Sequence, residues 1–176
     1  MEIKSSDEQM FRQVYEDVFP VVMKVAYHVT YNIDVAEDIC QEAFIRFYDK
    51  DMEFASEDDA KYWLIRVTKN LAINHVKRKM REQGMIDKIK KMPAPGSYKD
   101  GGDELVLKET QALVREAVEK LPEKFRSVIV LKEYADMDYK QIGKVLQISE
   151  SNVKVRVHRA RKMMESMLDR EEVNVP

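Results

Sequence analysis

The sequence predicts an all-α protein: two small helical domains joined by a flexible linker, the C-terminal domain carrying a helix-turn-helix. Apolar residues recur at three- and four-residue spacing almost throughout the 176 residues, the pattern of helices with one buried face. No convincing alternating run marks a strand; Val128 to Leu131 is apolar but lies inside a longer helical pattern. Gly and Pro number only five each, and three of those glycines and two of those prolines fall between Met92 and Glu104, in MPAPGSYKDGGDE. Such a stretch cannot continue a helix and buries little, so it reads as a tether. The expected boundaries are a first domain over 1–82, a linker over 83–104 and a second domain over 105–176. Blocks of roughly 80 and 70 residues are each long enough for a small helical core.

Charge and cysteine content bound the function. Charged residues make up 35% of the chain, yet the formal net charge is only −2, so nucleic-acid affinity has to come from local patches rather than a global basic field. A single cysteine, Cys40, excludes an intramolecular disulfide framework and fits a reducing cytosol. The N-terminus, MEIKSSDEQ, is polar and acidic, unlike a secretory signal. No window approaches the roughly 18 apolar residues of a membrane span. A cytoplasmic protein without direct membrane insertion is expected.

From Asp7 to about Tyr31 a first helix carries Phe11, Val14, Tyr15, Val18, Val22 and Ala26 on one stripe, with Pro20 marking a break or kink. Asn32 to Lys50 reads as a second helix with Asp34 as its candidate cap. Its buried side is Ala36, Ile39, Cys40, Ala43, Phe44 and Phe47; opposite lie Glu37, Asp38, Gln41, Glu42 and Arg46, a mostly acidic face. Solvation accounts for such a face, and so does docking of a basic partner. A polar loop follows over Asp51 to Asp59, then a helix from Ala60 to about Gln83. Leu64, Val67 and Leu71 form its core stripe, with Ile65 and Ile73 as further candidates. Arg66, Lys69, Asn70, Asn74, Lys77, Arg78, Lys79 and Arg81 supply amides for base edges and cations for phosphates. Tyr62, Trp63 and Phe54 are candidates for stacking on unpaired bases, although core packing is the first reading of Trp63. Met80 to Lys91 mixes bases and acids as a frayed extension into the linker.

The stretch YKQIGKVLQISESNVKVRVHRARK, Tyr139 to Lys162, reads as the helix-turn-helix. Ile142, Leu146 and Ile148 give apolar contacts, Gly143 is small where two helices cross, and Val153 packs back from the second helix. Ser149 or Ser151 caps that helix. It then presents Lys154, Arg156, Arg159, Arg161 and Lys162 beside His158, with Val153, Val157, Ala160 and Met164 roughly on the other face. One buried side and one cationic side suit a major groove between phosphates.

Four stretches in order resemble the extracytoplasmic-function, or group IV, sigma factors of bacterial RNA polymerase. They are DVAEDICQEAFIRFY at Asp34 to Tyr48, YWLIRVTKNLAINHVKRK at Tyr62 to Lys79, LPEKFRSVIVLKEYADMDYKQIGKVLQIS at Leu121 to Ser149, and the basic helix after it. The resemblance implies an alternative sigma factor that binds core polymerase, recognises −10 and −35 promoter elements and directs transcription initiation. It implies that Glu37, Asp38, Gln41, Glu42 and Phe44 meet the clamp coiled coil of the largest subunit, with the polymerase flap as a further contact. It assigns the −10 element, read as separated strand with a base turned out, to the loop around Phe54 and the helix after it. There Phe54, Lys61, Trp63, Arg66, Lys69, Asn70, Asn74, Lys77 and Arg78 would act. The −35 element would fall to Ser151, Asn152, Lys154, Val155, Arg156, Arg159 and Arg161, with Lys154 and Arg156 on base edges and Arg159 and Arg161 on phosphates. An anti-sigma protein is implied as a further partner, covering parts of the same surfaces.

Four positions depart from the family pattern. Gln147 stands where the turn often has Gly, Asn152 and Val155 where Thr and Ser are common, and Asn74 where Asp is common. These bear on promoter sequence rather than on family. The main rival reading is a conventional helix-turn-helix regulator acting at an operator, which predicts a ligand pocket or dimerisation helix in place of the acidic face. A pure interaction protein leaves the cations of the last helix without a role. An enzyme is not expected, and no catalytic residue, metal or cofactor is assigned. His28, His75 and His158 lack metal-ligand spacing, no Gly-rich phosphate loop exists, and the pairs Glu37-Asp38 and Asp58-Asp59 read as solvated.

Overall fold

The computed structural model describes residues 2–89 and 102–173, and the side chains of 2–85 and 108–170 among them. Helices α1 (Glu8–Thr30), α2 (Ile33–Asp49) and α3 (Glu57–Ile89) form the N-terminal unit; α4 (Gly102–Lys120), α5 (Glu123–Ile129), α6 (Tyr139–Leu146) and α7 (Glu150–Val173) form the C-terminal one. A π-helical turn, Val130–Tyr134, continues α5. Two short strands, β1 (Ile3–Lys4) and β2 (Glu53–Phe54), pair antiparallel and were not foreseen. Of the expected linker, 83–89 continue α3 and 102–104 open α4; residues 90–101 lie outside those described.

The α1 stripe is Val14, Val18, Val22, Val25, Ala26 and Val29, and the helix runs through Pro20 rather than breaking there. Pro20 lies on the exposed side, where the lost backbone bond is met by solvent. The six residues expected to be buried on α2 are buried. The cap differs: Asn32 accepts from the Val35 N–H at 3.0 Å, so Asp34 sits in the first turn instead, where its charge complements the helix dipole. Helix α3 starts three residues before the expected Ala60 because the Ser56 hydroxyl accepts from the Asp59 N–H at 3.2 Å.

Leu64, Ile65, Ala72 and Ile73 of α3 are buried, but so are Thr68 and Lys69. The helix is therefore covered on two sides, by α1 and α2 and again by the C-terminal unit. That unit packs α5 and α6 onto α7 through Phe125, Val128, Ile142, Val145, Val153, Val157 and Ala160. Its first corner is fastened by Arg126, a buried guanidinium donating to the carbonyls of Glu119 and, at 3.2 Å, Leu121 at the end of α4. Asp138 and Gln141 form a reciprocal capping box at the start of α6.

Two residues set the helix-turn-helix corner. A Cβ on Gly143 would lie 2.8 Å from the Ile148 carbonyl oxygen, so the close crossing requires glycine. Gln147 takes the left-handed conformation, φ 57 and ψ 43, that glycine more commonly supplies; the turn keeps its geometry despite the residue change. Opposite signs are therefore expected in denaturant unfolding. Gly143→Ala should destabilise by about 1–3 kcal/mol through overpacking against backbone. Gln147→Gly should stabilise by up to about 1 kcal/mol through relief of the left-handed strain.

Candidate nucleic-acid and polymerase interfaces

The acidic face of α2 is formed as expected. Glu37, Asp38, Gln41 and Glu42 are exposed, with Glu42 paired to Arg46 one turn on. Phe44 is not part of that face. It is buried, its ring 4.7 Å from Tyr15 and 6.0 Å from Phe11. Beside it runs a shallow apolar groove between α1 and α2, bordered by Tyr15, Ile45 and Tyr48, which are 40%, 59% and 49% exposed. Ile45 and Tyr48 were missed. Their signal was present: both are apolar residues outside the core stripe of α2, adjoining Gln41 and Glu42.

The expected stacking ring Phe54 also faces inward. Its strand position turns it onto Phe47, with ring centroids 5.6 Å apart and planes at 25°, and onto Trp63 at 6.3 Å. Phe54 thus builds the floor of the α2–α3 loop and offers no platform to a base. Trp63 is half-buried against Phe47, its core-packing reading, with the Lys50 ammonium 5.9 Å from its ring. Lys61 is held between acids, 2.8 Å from Glu57 and 3.3 Å from Asp17, which raises its pKa.

Further along α3 the cations meet the C-terminal unit. Arg66 donates to the carbonyl of Val145 and, at 3.1 Å, to that of Lys144 at the end of α6. Those terminal carbonyls carry the negative end of the helix dipole, a fitting site for a guanidinium. Lys69 is buried, which lowers its pKa, with the Glu123 carboxylate opposing that effect. Lys77 hydrogen-bonds Glu123, and this bond holds the carboxyl below its ordinary value. Asn70, Asn74 and Arg78 are exposed. Glu123 had not been singled out; a lone acid in Leu-Pro-Glu-Lys gives no sequence signal of its partner.

A second seam joins α1 to the π turn and α4. The His28 imidazole stacks on Tyr134 at 3.9 Å with planes at 8°, its Nδ1 buried without a partner among the described atoms. The Arg115 guanidinium lies 4.0 Å from the Tyr31 ring centroid, a cation–π contact.

Helix α7 buries Val153, Val157 and Ala160 and half-buries Met164. Ser149 is its cap, accepting from the Asn152 N–H at 3.1 Å; Ser151 is exposed beyond it. By helical periodicity, Ser151, Val155, His158, Arg159 and Lys162 head the outward side. Arg156 stands on one flank, half-buried and bonded to Asn152 at 3.2 Å, where it borders the cleft containing Lys69 and Glu123. Lys154 and Arg161 stand on the other flank, each beside an acid: Glu150 at 3.4 Å and Glu133 at 2.6 Å.

Two family profiles match the chain, Sigma-70 region 2 over residues 14–82 and Sigma-70 region 4 over residues 111–164. The chain belongs to the sigma-70 family. Among curated relatives it is 29% identical to the ECF RNA polymerase sigma factor SigW of Bacillus subtilis over 174 residues, covering 95% of this chain and 93% of SigW. It is likewise 29% identical over 140 residues to the RNA polymerase sigma-H factor of Pseudomonas aeruginosa, with 76% and 72% covered. The fold resembles CnrH, solved with the cytosolic domain of CnrY, at TM-score 0.61 and 21% identity over 94% of this chain and 92% of that one. It also resembles the sigma factor RpoE of Bartonella quintana, solved with the anti-sigma factor NepR, at TM-score 0.56 and 21% identity, with 90% and 96% covered.

In this sigma factor the region 2 match spans α1 to α3 and the region 4 match spans α4 to α7, so both seams above join region 2 to region 4. One seam contains a histidine whose protonation opposes folding. Burial, and secondarily Lys24, hold the His28 pKa below its ordinary 6.5. The unfolded chain then takes up more protons than the folded one as pH falls through 6.5, so acidification costs stability. Thermal unfolding between about pH 8 and about pH 6 should show that loss in the wild type. His28→Phe keeps a ring against Tyr134 and should show less of it.

Proposed function

We propose that this sigma factor joins core RNA polymerase through the acidic face of α2, with Glu37, Asp38, Gln41 and Glu42 toward the clamp coiled coil and Phe44 as the buried support beneath. The flap would receive region 4. The −10 element falls to the α2–α3 loop and α3, with Asn70, Asn74 and Arg78 outward and Lys61, Trp63, Arg66, Lys69 and Lys77 available after rearrangement. The −35 element falls to α7 as duplex, with Lys154 and Arg156 on base edges and Ser151, Asn152, Val155, Arg159 and Arg161 completing the surface. Val155, 46% exposed, offers methyl contact to a thymine rather than a hydrogen bond. The observation that carries this reading is α7 itself, a cation-bearing helix mounted on a glycine-dependent corner and capped by Ser149.

Because Arg66, Lys69 and Lys77 are engaged by region 4, regions 2 and 4 must separate before α3 meets a −10 strand. An anti-sigma protein is the partner we propose for the free factor, docking on the apolar groove of Tyr15, Ile45 and Tyr48 and competing there with polymerase. The solved RpoE–NepR complex supports such a partner by fold. Among the described residues no helix is long and apolar enough to cross a membrane, and the site of action proposed is the cytoplasm. The chain acts as an initiation factor, the polymerase supplying the chemistry.

Run-off transcription with bacterial core polymerase on a genomic fragment library tests the proposal. Discrete starts with shared upstream elements, dependent on both components, are expected; a duplex footprint by the chain alone without new starts would favour the operator-binding reading. On a mapped promoter, Arg156→Ala should lower discrimination among −35 variants by about 1–3 kcal/mol, whereas Lys77→Ala should change binding evenly across promoters. Equal losses on every −35 sequence would remove Arg156 from base reading.

A further inference from the structure

We infer that the N-terminal segment Ile3–Ser6 is a positioning element for promoter recognition, holding the α2–α3 loop in the conformation that meets the −10 element. The inference rests on the assignment of that loop to the −10 element proposed above, and it adds residues that neither the family profiles nor the motifs touch.

The loop is anchored on one side by Phe54 against Phe47 and Trp63, but its own backbone bonds are few. Asp51 stands at φ 45, a left-handed conformation unusual for a residue other than glycine, and its N–H reaches back to the Tyr48 carbonyl at 3.3 Å. The backbone of the next three residues is bonded to residues 3–5. Ser5 N–H donates to the Met52 carbonyl at 2.9 Å, and Met52 N–H donates to Ser5 Oγ at 2.8 Å. Ile3 pairs with Phe54 and Lys4 with Glu53 as the two strands. Ser6 hydrogen-bonds the Asp51 carboxylate, and the Lys4 ammonium lies 3.5 Å from Glu53.

Ser5 is 0% exposed, with its N–H and its hydroxyl both bonded to Met52. Its tie is to the loop. The other end of the segment is equally fixed: Asp7 N–H donates to the Lys4 carbonyl at 3.2 Å, and the Asp7 carboxylate caps α1 through Met10 N–H at 2.9 Å. Loop and α1 are thereby joined through residues 3–7. The pairing turns Phe54 inward and leaves Asp51, Glu53 and Ala55 outward, with Lys4 beside them.

Selectivity for one base is a difference between right and wrong contacts. A loop sampling several conformations accommodates several bases and must be ordered on each; a loop already held does neither. The N-terminal segment supplies that preorganisation.

The experiment uses the full chain with core polymerase on a promoter mapped by run-off, together with every single-base variant of its −10 and −35 elements. Ser5→Ala removes the acceptor for Met52 N–H. It should lower discrimination among −10 variants at least about fivefold, leave −35 discrimination and affinity for core unchanged, and be rescued by Ser5→Thr. Ser6→Ala, at a more accessible position, should shift the same ratio in the same direction by less, and serves should Ser5→Ala fold poorly. Equal losses at both elements, or unchanged −10 discrimination in folded Ser5→Ala and Ser6→Ala, would overturn the inference. Ala55→Arg on the outer side of the loop separates the two levels. If it alters −10 discrimination while Ser5→Ala and Ser6→Ala do not, only the positioning role falls. If none of the three alters it, the loop's assignment to the −10 element falls and takes this inference with it.

Discussion

Helix α3 is covered on two sides, and the second covering constrains everything else. One side is apolar and belongs to the region 2 core. The other carries Arg66 and Lys69, which water would hold better than protein unless partners replace it. Region 4 supplies them in the end carbonyls of α6 and the carboxylate of Glu123. A cation deprived of such partners in a buried place costs several kcal/mol, so α3 needs either region 4 or solvent along this side. The exposed Lys77–Glu123 pair adds only about 0–1 kcal/mol. Water can take over each of these polar contacts, which makes the seam separable in a way that the Leu64 and Ile73 contacts are not.

The sequence was legible where periodicity alone decides. All six buried positions of α2 follow from 3.6-residue spacing, and Gly143 with Val153 follows from the steric demand of a tight helix crossing. It was less legible where short polar side chains compete for one role. Asn32 and Asp34 are both competent caps, and Ser149 and Ser151 are too; the residue whose own backbone is extended takes the role, as Asn32 does at φ −137 and ψ 119, and no pattern of residue types encodes that. Phe44 and Phe54 illustrate a different limit. Each lies in a segment that resemblance assigns to binding, yet each ring is needed inside, because α1, α2 and the loop meet around Phe11, Phe47 and Trp63. The second buried side of α3 was beyond reach, since its residues are charged and their partners lie in another domain. So was the strand pair, because two residues on each side carry no periodic signal.

The acidic and apolar parts of the α2 surface have different physical uses. Glu37, Asp38 and Glu42 carry charges that act over a distance and, in the docking proposed above, would steer encounter with a basic surface. Tyr15, Ile45 and Tyr48 act only at contact, through area removed from water. A partner that uses both gains orientation from the first and residence time from the second. Two competitors for this region therefore need not copy each other's contacts: blocking either part weakens both.

Charge bookkeeping explains why separation of the regions and DNA binding belong together. With a net charge of −2, the chain has no surplus of cations to attract phosphate from afar. Each α3 cation engaged by region 4 is already partly compensated, Lys77 and Lys69 by the single Glu123 carboxylate and Arg66 by carbonyl dipoles. Transfer of such a cation to a phosphate releases condensed counterions from the nucleic acid, but it also returns Glu123 to water and lets it gather cations of its own. The electrostatic gain per contact is accordingly smaller than for a free lysine. Raising salt weakens the competitor seam along with the DNA contact, which flattens the salt dependence of α3 relative to α7. Under the function proposed above, a partner that holds regions 2 and 4 apart removes this internal competition before DNA arrives and leaves the α3 cations free for the separated strand.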